Sequence, residues 1–135
     1  MNDAPVDVVR GFVDAINRAD LFALRGAMTD DHTFTDARGH SFSGAETMIA
    51  GWERFFHAFP GYWIRVDHSF AEGERVALFG EAGGQRRVGD WVSNEGWKVA
   101  AAWLAEVDDG RVKRWSAFCG TAWATPPAGD SQRKA

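Results

Sequence analysis

Apolar residues recur at Val8, Val9, Phe12, Val13 and Ile16 within PVDVVRGFVDAINRA, residues 5–19. This spacing is helical. Asp3 can cap the helix, and Pro5 falls in its first turn, where a missing N–H costs nothing. DLFALRGAM follows as a shorter helix with Asp20 as its cap, and Thr29-Asp30-Asp31 breaks it. The period then changes to two. Over residues 32–36, His32, Phe34 and Asp36 fall on one strand face, Thr33 and Thr35 on the other. Ala37-Arg38-Gly39 makes a turn, and residues 41–43 return. Ser43 caps a third helix, roughly 44–59, with Glu46 completing a capping box. Its apolar face carries Met48, Trp52, Phe55, Phe56 and Phe59, and Pro60-Gly61 stops it.

The second half reads as long strands, about 62–71, 75–82, 96–107 and 111–123. AEGER and VDDGRV are hairpin turns, the second with an Asp-Gly signal. Between them lies the polar, glycine-rich stretch 83–95, expected as a loop or frayed hairpin. TPPAGDSQRKA has almost nothing to bury, so residues 125–135 are expected to be a disordered tail. An antiparallel sheet this long needs cover on one face, and three N-terminal helices can supply it. The prediction is one α+β domain, residues 1–124, with a curved antiparallel sheet wrapped around three helices. Such a curve leaves room for a cone-shaped cavity.

Composition sharpens this picture at one point. Seven Trp and ten Phe against one Tyr in 135 residues imply a large aromatic core or a roomy apolar pocket. A net charge of −4 argues against nucleic acid or an anionic membrane as partner. A single cysteine, Cys119, leaves no internal disulfide and no cysteine-based zinc site. No signal peptide or bilayer-length apolar run is visible, so the expected location is cytoplasmic.

The candidate chemistry gathers in HTFTDARGH, residues 32–40. His32, Asp36 and His40 have the spacing of a zinc face on a helix. On a strand, however, four residues span about 13 Å, against metal bonds of about 2 Å. A metal is therefore not expected, and no cofactor is implied. If 37–39 is a three-residue loop with Gly39 left-handed, Asp36 and His40 oppose each other and can hydrogen-bond. Asp36 is then either a turn cap beside a solvated His40, or an oriented base with His40 as proton relay. His32 is either a satisfied core histidine or a second acid–base group deeper in the same cavity.

VVRGFVDAINRADLFALRGAMTDDHTFTDARGHSFSGAE, GWERFFHAFPGYWIRV, GERVALFG and AAWLAEVDDGRVKRW together resemble the nuclear transport factor 2-like superfamily. The nearest parallels are its ketosteroid isomerase-like and SnoaL-like polyketide cyclase branches. The resemblance spans residues 5–123 and implies the cone-shaped fold. It places the isomerase's general base on Asp36. It places that enzyme's two oxyanion donors on Phe12, which has no donor, and Trp103, whose indole N–H cannot titrate. Steroid isomerisation is thereby disfavoured. (That enzyme's neutral carboxylic acid donor is a standard example.)

The resemblance also points Trp97, Val99, Ala101, Trp103 and Ala105 inward, together with Trp115, Ala117 and Cys119. Phe34, Trp52 and Phe56 complete the expected ligand wall. Glu81, in register with Ala77 and Phe79, is either a second pocket carboxylate or a solvated strand end. His68 is either a semi-buried histidine or a pocket acid. Cys119 has no basic neighbour in sequence and reads as an inert thiol. Arg86 and Arg87 are loop charges, or part of a lid over an anionic group.

Two functions are consistent with this. One is a cofactor-independent isomerase, dehydratase or cyclase in which Asp36 removes a proton beside a carbonyl, with His32 or His40 returning it. The other is a non-catalytic binder of a small apolar ligand, or a dimerising module. The resemblance further implies a homodimer joined through the outer sheet face, which carries Leu104 and Phe118 among Lys98, Lys113 and Arg114.

Overall fold

The structure is a computed structural model that describes residues 3–119. The expected end of the last strand and the expected tail, 125–135, lie outside the described residues. The elements run α1 (Pro5–Asn17), α2 (Leu21–Gly26), β1 (Met28–Thr35), β2 (Ser41–Ser43) and α3 (Ala45–Ala58). They continue through β3 (Trp63–Glu72), β4 (Arg75–Gly84), β5 (Arg87–Val88), β6 (Trp91–Val92), β7 (Trp97–Asp108) and β8 (Arg111–Cys119). Six strands form one sheet in the order β2-β1-β8-β7-β4-β3. All neighbours are antiparallel except β1 and β8, which run parallel. Strands β5 and β6 form a separate two-residue hairpin, the ordered part of the polar 83–95 stretch.

Local chemistry explains most of the boundaries, and also where they depart from expectation. Asp20 caps α2, its Oδ1 accepting from the Ala23 N–H at 3.0 Å. The cap expected from Asp3 is not made: Ala4 holds the position with no side-chain bond, and Pro5 opens the helix. Ser43 does not cap α3 either. Gly44 occupies that position at φ 101°, a conformation that strongly favours glycine. Glu46 turns instead to Arg25, 2.9 Å away. The Thr29-Asp30-Asp31 segment, read as a break, belongs to β1. Asp109 and Gly110 both have positive φ, 52° and 80°, as the tight β7–β8 hairpin requires.

The core lies between the concave sheet face and the helices. Val9, Phe12 and Ile16 of α1 are fully buried, as are Leu24, Met28, Leu78 and Val112. Asn17, at the end of α1, grips the backbone of Ile64 twice: its Nδ2 donates to the carbonyl at 3.0 Å, and its Oδ1 accepts from the N–H at 2.7 Å. A bulge between Val66 and His68 bends β3 over β4. Gly80 sits beneath it. A Cβ there would lie 1.8 Å from the Arg65 carbonyl oxygen, so only glycine permits this approach.

The phase of β4 decides between the two readings of Glu81. Val76, Leu78 and Ala82 are buried, while Phe79 is 45% exposed. Phe79 and Glu81 therefore stand on the outer face, and Glu81 is held there by Arg65 at 2.8 Å. His68 is exposed on the same strand pair. None of these three lines the concave side.

Candidate functional site

The inner face of β7 arises from strict alternation. Val99, Ala101, Trp103 and Ala105 are buried, and the residues between them are not. Each tryptophan on β7 and β8 meets a small partner. Trp103 opposes Ala117, Trp115 opposes Ala105, and Trp97 opposes Gly84. Small residues leave space that the indoles then border. The result is a cavity of about 270 Å³.

Helix α3 forms one wall with Met48, Trp52 and Phe55, and beside them Thr47, Gly51 and Arg54. The sheet supplies Ala82, Val99, Ala101, Trp103, Trp115, Ala117 and Cys119. Phe34 of β1, Phe42 of β2, Tyr62 and Trp97 complete the lining. One end is packed with rings. Tyr62 stacks on Trp97 at 6.0 Å and meets Phe55 edge-on at 4.7 Å, while Phe59 meets Trp97 at 5.6 Å. At the base, Trp103 stacks on Trp115 at 6.2 Å, and Trp115 packs on Phe12 at 4.8 Å.

Polar groups in this wall are few. The Trp97 indole N–H donates to the Gln85 carbonyl at 3.1 Å and is thereby used. The Trp52 indole N–H is buried and has no hydrogen-bond partner. Burial, reinforced by Cys119, pushes the Tyr62 phenol well above the ordinary tyrosine range, so it is a neutral hydroxyl at physiological pH. Among the described lining residues, Arg54 alone carries a full charge. No group of three or more His, Cys, Asp or Glu that could hold a metal ion exists among the described residues.

Asp36 and His40 do oppose each other, with Gly39 left-handed at φ 88°. The Asp36 N–H donates to the His40 carbonyl at 2.9 Å, and the two side chains are 3.5 Å apart, Oδ2 to Nδ1. The Asp36 Oδ1 accepts from the N–H groups of Arg38 and His40, both at 2.9 Å. One oxygen thus caps the turn. Partial burial pushes the Asp36 carboxyl up, but those two N–H groups and the His40 imidazole outweigh it and hold it below the ordinary range. Neither Asp36 nor His40 belongs to the cavity lining. Asp36 follows the end of β1, two residues past Phe34, which does line it.

His32 lies elsewhere. It is fully buried, and its Nδ1 is 2.7 Å from the Val112 carbonyl oxygen. A carbonyl can only accept, so the proton sits on Nδ1 and Nε2 is left as a buried acceptor without a partner. The ring packs on Phe12 at 5.6 Å and does not line the cavity. The expected ligand wall is accordingly revised. Phe34, Trp52, Trp97, Trp103, Trp115 and Cys119 are in it. Phe12 lies behind it in the core, and Phe56 backs Trp52 at 5.3 Å. His68, Phe79 and Glu81 face outward.

Sequence reasoning did not single out Tyr62 or Arg54. For Arg54 a signal existed: Thr47, Gly51 and Arg54 repeat at i, i+4, i+7, a stripe beside that of Met48, Trp52 and Phe55. Tyr62 lies in the turn between α3 and β3, where no periodicity marks it.

Comparison with known proteins agrees with this architecture. Residues 9–115 match the family described as SnoaL-like domain. No curated protein matches the chain. Several solved structures superpose on it. A candidate SnoaL-like polyketide cyclase from Shewanella denitrificans has TM-score 0.78 and 15% identity, covering 97% of this chain and 98% of that one. A protein of ketosteroid isomerase-like fold from Catenulispora acidiphila, in complex with trimethylamine, has TM-score 0.73 and 16% identity, with 91% and 92% covered. An LEH-like epoxide hydrolase of M. tuberculosis has TM-score 0.71 and 19% identity, with 87% and 83% covered. At such identities the likeness shows the fold and leaves the reaction open.

The burial of His32 generates a pH prediction. Desolvation, outweighing the Val112 carbonyl and Asp31, holds its imidazole below the ordinary histidine range. The unfolded chain takes up this proton near pH 6.5, the folded chain only at lower pH. Stability therefore falls as the pH drops below about 6.5, by at most about 1.4 kcal/mol per pH unit, and levels off below the folded-state value. His32→Asn should be less stable at neutral pH, and urea denaturation from about pH 7 to pH 5 should show its disadvantage shrinking. A constant difference between the two proteins across that range would contradict this.

Proposed function

The chain belongs to the SnoaL-like domain family, and on that premise we propose that it binds a small, flat, largely apolar molecule in the aromatic cavity. The cavity itself carries this reading. Its volume of about 270 Å³ exceeds the roughly 150 Å³ of an apolar engineered cavity that admits benzene. One or two fused rings fit between Trp52, Trp97, Trp103 and Trp115. A neutral probe, 2-naphthol, tests it. Calorimetry should detect binding to the wild type. Ala117→Phe, which fills space opposite Trp103, should weaken binding at least tenfold without lowering Tm. Unchanged affinity in that variant would place the ligand elsewhere.

Catalysis is the second part of the reading, and one observation favours it. Asp36 is an ionised carboxylate at the end of the Phe34 strand, with Oδ1 held by two N–H groups and Oδ2 left toward His40. We take Oδ2 as a general base and His40 as the group that passes the proton on. A carboxylate with a lowered pKa is a weak base, so the C–H it attacks must be acidic, as it is between a carbonyl and an aromatic ring. Isomerisation, dehydration and cyclisation all begin with that step, and one superposed protein carries the name of a polyketide cyclase. His32, neutral and tied to Val112, takes no part. Wild-type protein should speed exchange of the benzylic α-protons of 2-tetralone in deuterated water. Asp36→Asn should reduce that acceleration about 100-fold or more. Equal exchange by the two proteins would remove Asp36 from the role and leave a binding protein.

The outer sheet face suits a second copy of the chain. His68, Phe79, Ala102 and Phe118 line up across four strands, and Phe70, Ala77, Leu104 and Ser116 form the next row. Phe70, Phe79 and Phe118 are 64%, 45% and 52% exposed. Charged rows flank them: Arg65 with Glu81 on one side, and Glu72, Arg75, Glu106 and Arg114 on the other. An apolar stripe with a charged rim is how a homodimer interface is built. Light scattering should return twice the 14.9 kDa chain mass, and a monomer mass would refute the pairing.

A further inference from the structure

We propose that Arg54 is the anion anchor of the cavity, and that the ligand is an aromatic acid: a flat apolar body with a carboxylate or similar oxyanion at one end. The proposal rests on the reading of the cavity as a ligand site and names what that ligand carries.

Three observations converge on Arg54. The first is charge. Arg54 is the one fully charged residue among those described lining the cavity, and no carboxylate is among them. The second is pairing. Four of the ten other described arginines hold an acid: Arg18 with Asp20, Arg25 with Asp30 and Glu46, Arg65 with Asp67 and Glu81, Arg114 with Glu106. Arg54 has no ion pair or hydrogen bond to any described residue, although it borders an apolar wall where a lone cation gains little. The third is placement. Arg54 lies three residues after Gly51 on α3, and its Nη2 would be 3.9 Å from a Cβ built on Gly51. The guanidinium thus lies alongside Gly51, itself part of the lining, while staying exposed to solvent.

The interior explains why the charge belongs at this position. Apart from Arg54 the lining offers no charged side chain; its hydrogen-bonding groups include the Tyr62 and Thr47 hydroxyls and indole N–H groups. An anion carried deep into the cavity would lose its water without a counter-charge, at high cost. At the mouth, beside an exposed guanidinium, it keeps part of its hydration and gains two parallel N–H donors in the geometry a carboxylate accepts. The ligand therefore enters rings first, with its anionic end toward Arg54.

A matched pair of probes tests this: 2-naphthoate and the neutral 2-naphthamide, nearly equal in shape, titrated by calorimetry into wild type, Arg54→Gln and Arg54→Lys. Arg54 is exposed, so neither change threatens the fold. The wild type should prefer the naphthoate about tenfold at low salt, and the preference should shrink as salt screens it. Arg54→Gln should abolish the preference while still binding the amide, and Arg54→Lys should keep part of it. Equal binding of both probes by the wild type, or a preference that survives Arg54→Gln, overturns the anchor but leaves the ligand cavity standing. Failure of both probes to bind the wild type overturns the anchor and the cavity reading together.

Discussion

The stack of Phe12, Trp115 and Trp103 is the contact on which the rest of the molecule depends. Phe12 comes from the first helix, Trp115 from the last strand and Trp103 from its neighbour, so the stack ties helix layer to sheet at the base of the cavity. His32 is held beside it by Phe12 and by the Val112 carbonyl, which joins β1 to β8 across the one parallel pairing in the main sheet. Below the stack everything is core. Above it, alanines opposite the indoles keep the space open. The same strand alternation therefore provides both stability and the cavity, and the boundary between them falls at Trp103 and Trp115.

This arrangement divides the chemistry between two places. The interior is suited to recognising shape and flatness, because it offers rings and a few neutral donors. Charge lies apart from it: Arg54 on α3 borders the cavity, and Asp36 with His40 stands on the β1–β2 turn, outside the lining. Burial pushes the Tyr62 phenol up, and turn hydrogen bonds hold the Asp36 carboxyl below its ordinary range.

How far the sequence could reveal this depended on whether local pattern or tertiary packing decided each feature. β7 was legible because its buried and less buried positions alternate from Val99 to Val107, and the β7–β8 hairpin because Asp109-Gly110 marks its turn. The Asp36–Gly39–His40 turn was legible for the same reason, since only Gly39 tolerates its φ easily. β4 was not. Val76, Ala77, Leu78 and Phe79 are all apolar, so period two fits either phase; packing on α1 buried Val76 and Leu78 and put Phe79 and Glu81 outside. The start of β1 was hidden because its acidic residues lie in a stretch of irregular pairing with β8. The cap of α3 fell to Gly44 rather than Ser43 through a positive φ that no side-chain pattern announces. His32 shares a strand face with Phe34, yet Phe12 takes it into the core while Phe34 reaches the cavity. That difference is set by which helix lies above each residue.

A ligand in the space between the indoles is the central requirement of the proposed function. The most direct measurement is a ¹H–¹⁵N NMR titration of the tryptophan indole N–H signals with 2-naphthol. Trp52, Trp97, Trp103 and Trp115 border the cavity, whereas Trp91 is 60% exposed on the small hairpin and does not. Saturable shifts in the first four, with Trp91 unmoved, are the predicted result. Shifts confined to Trp91 and other surface groups, with the cavity indoles silent at saturating probe, would contradict it.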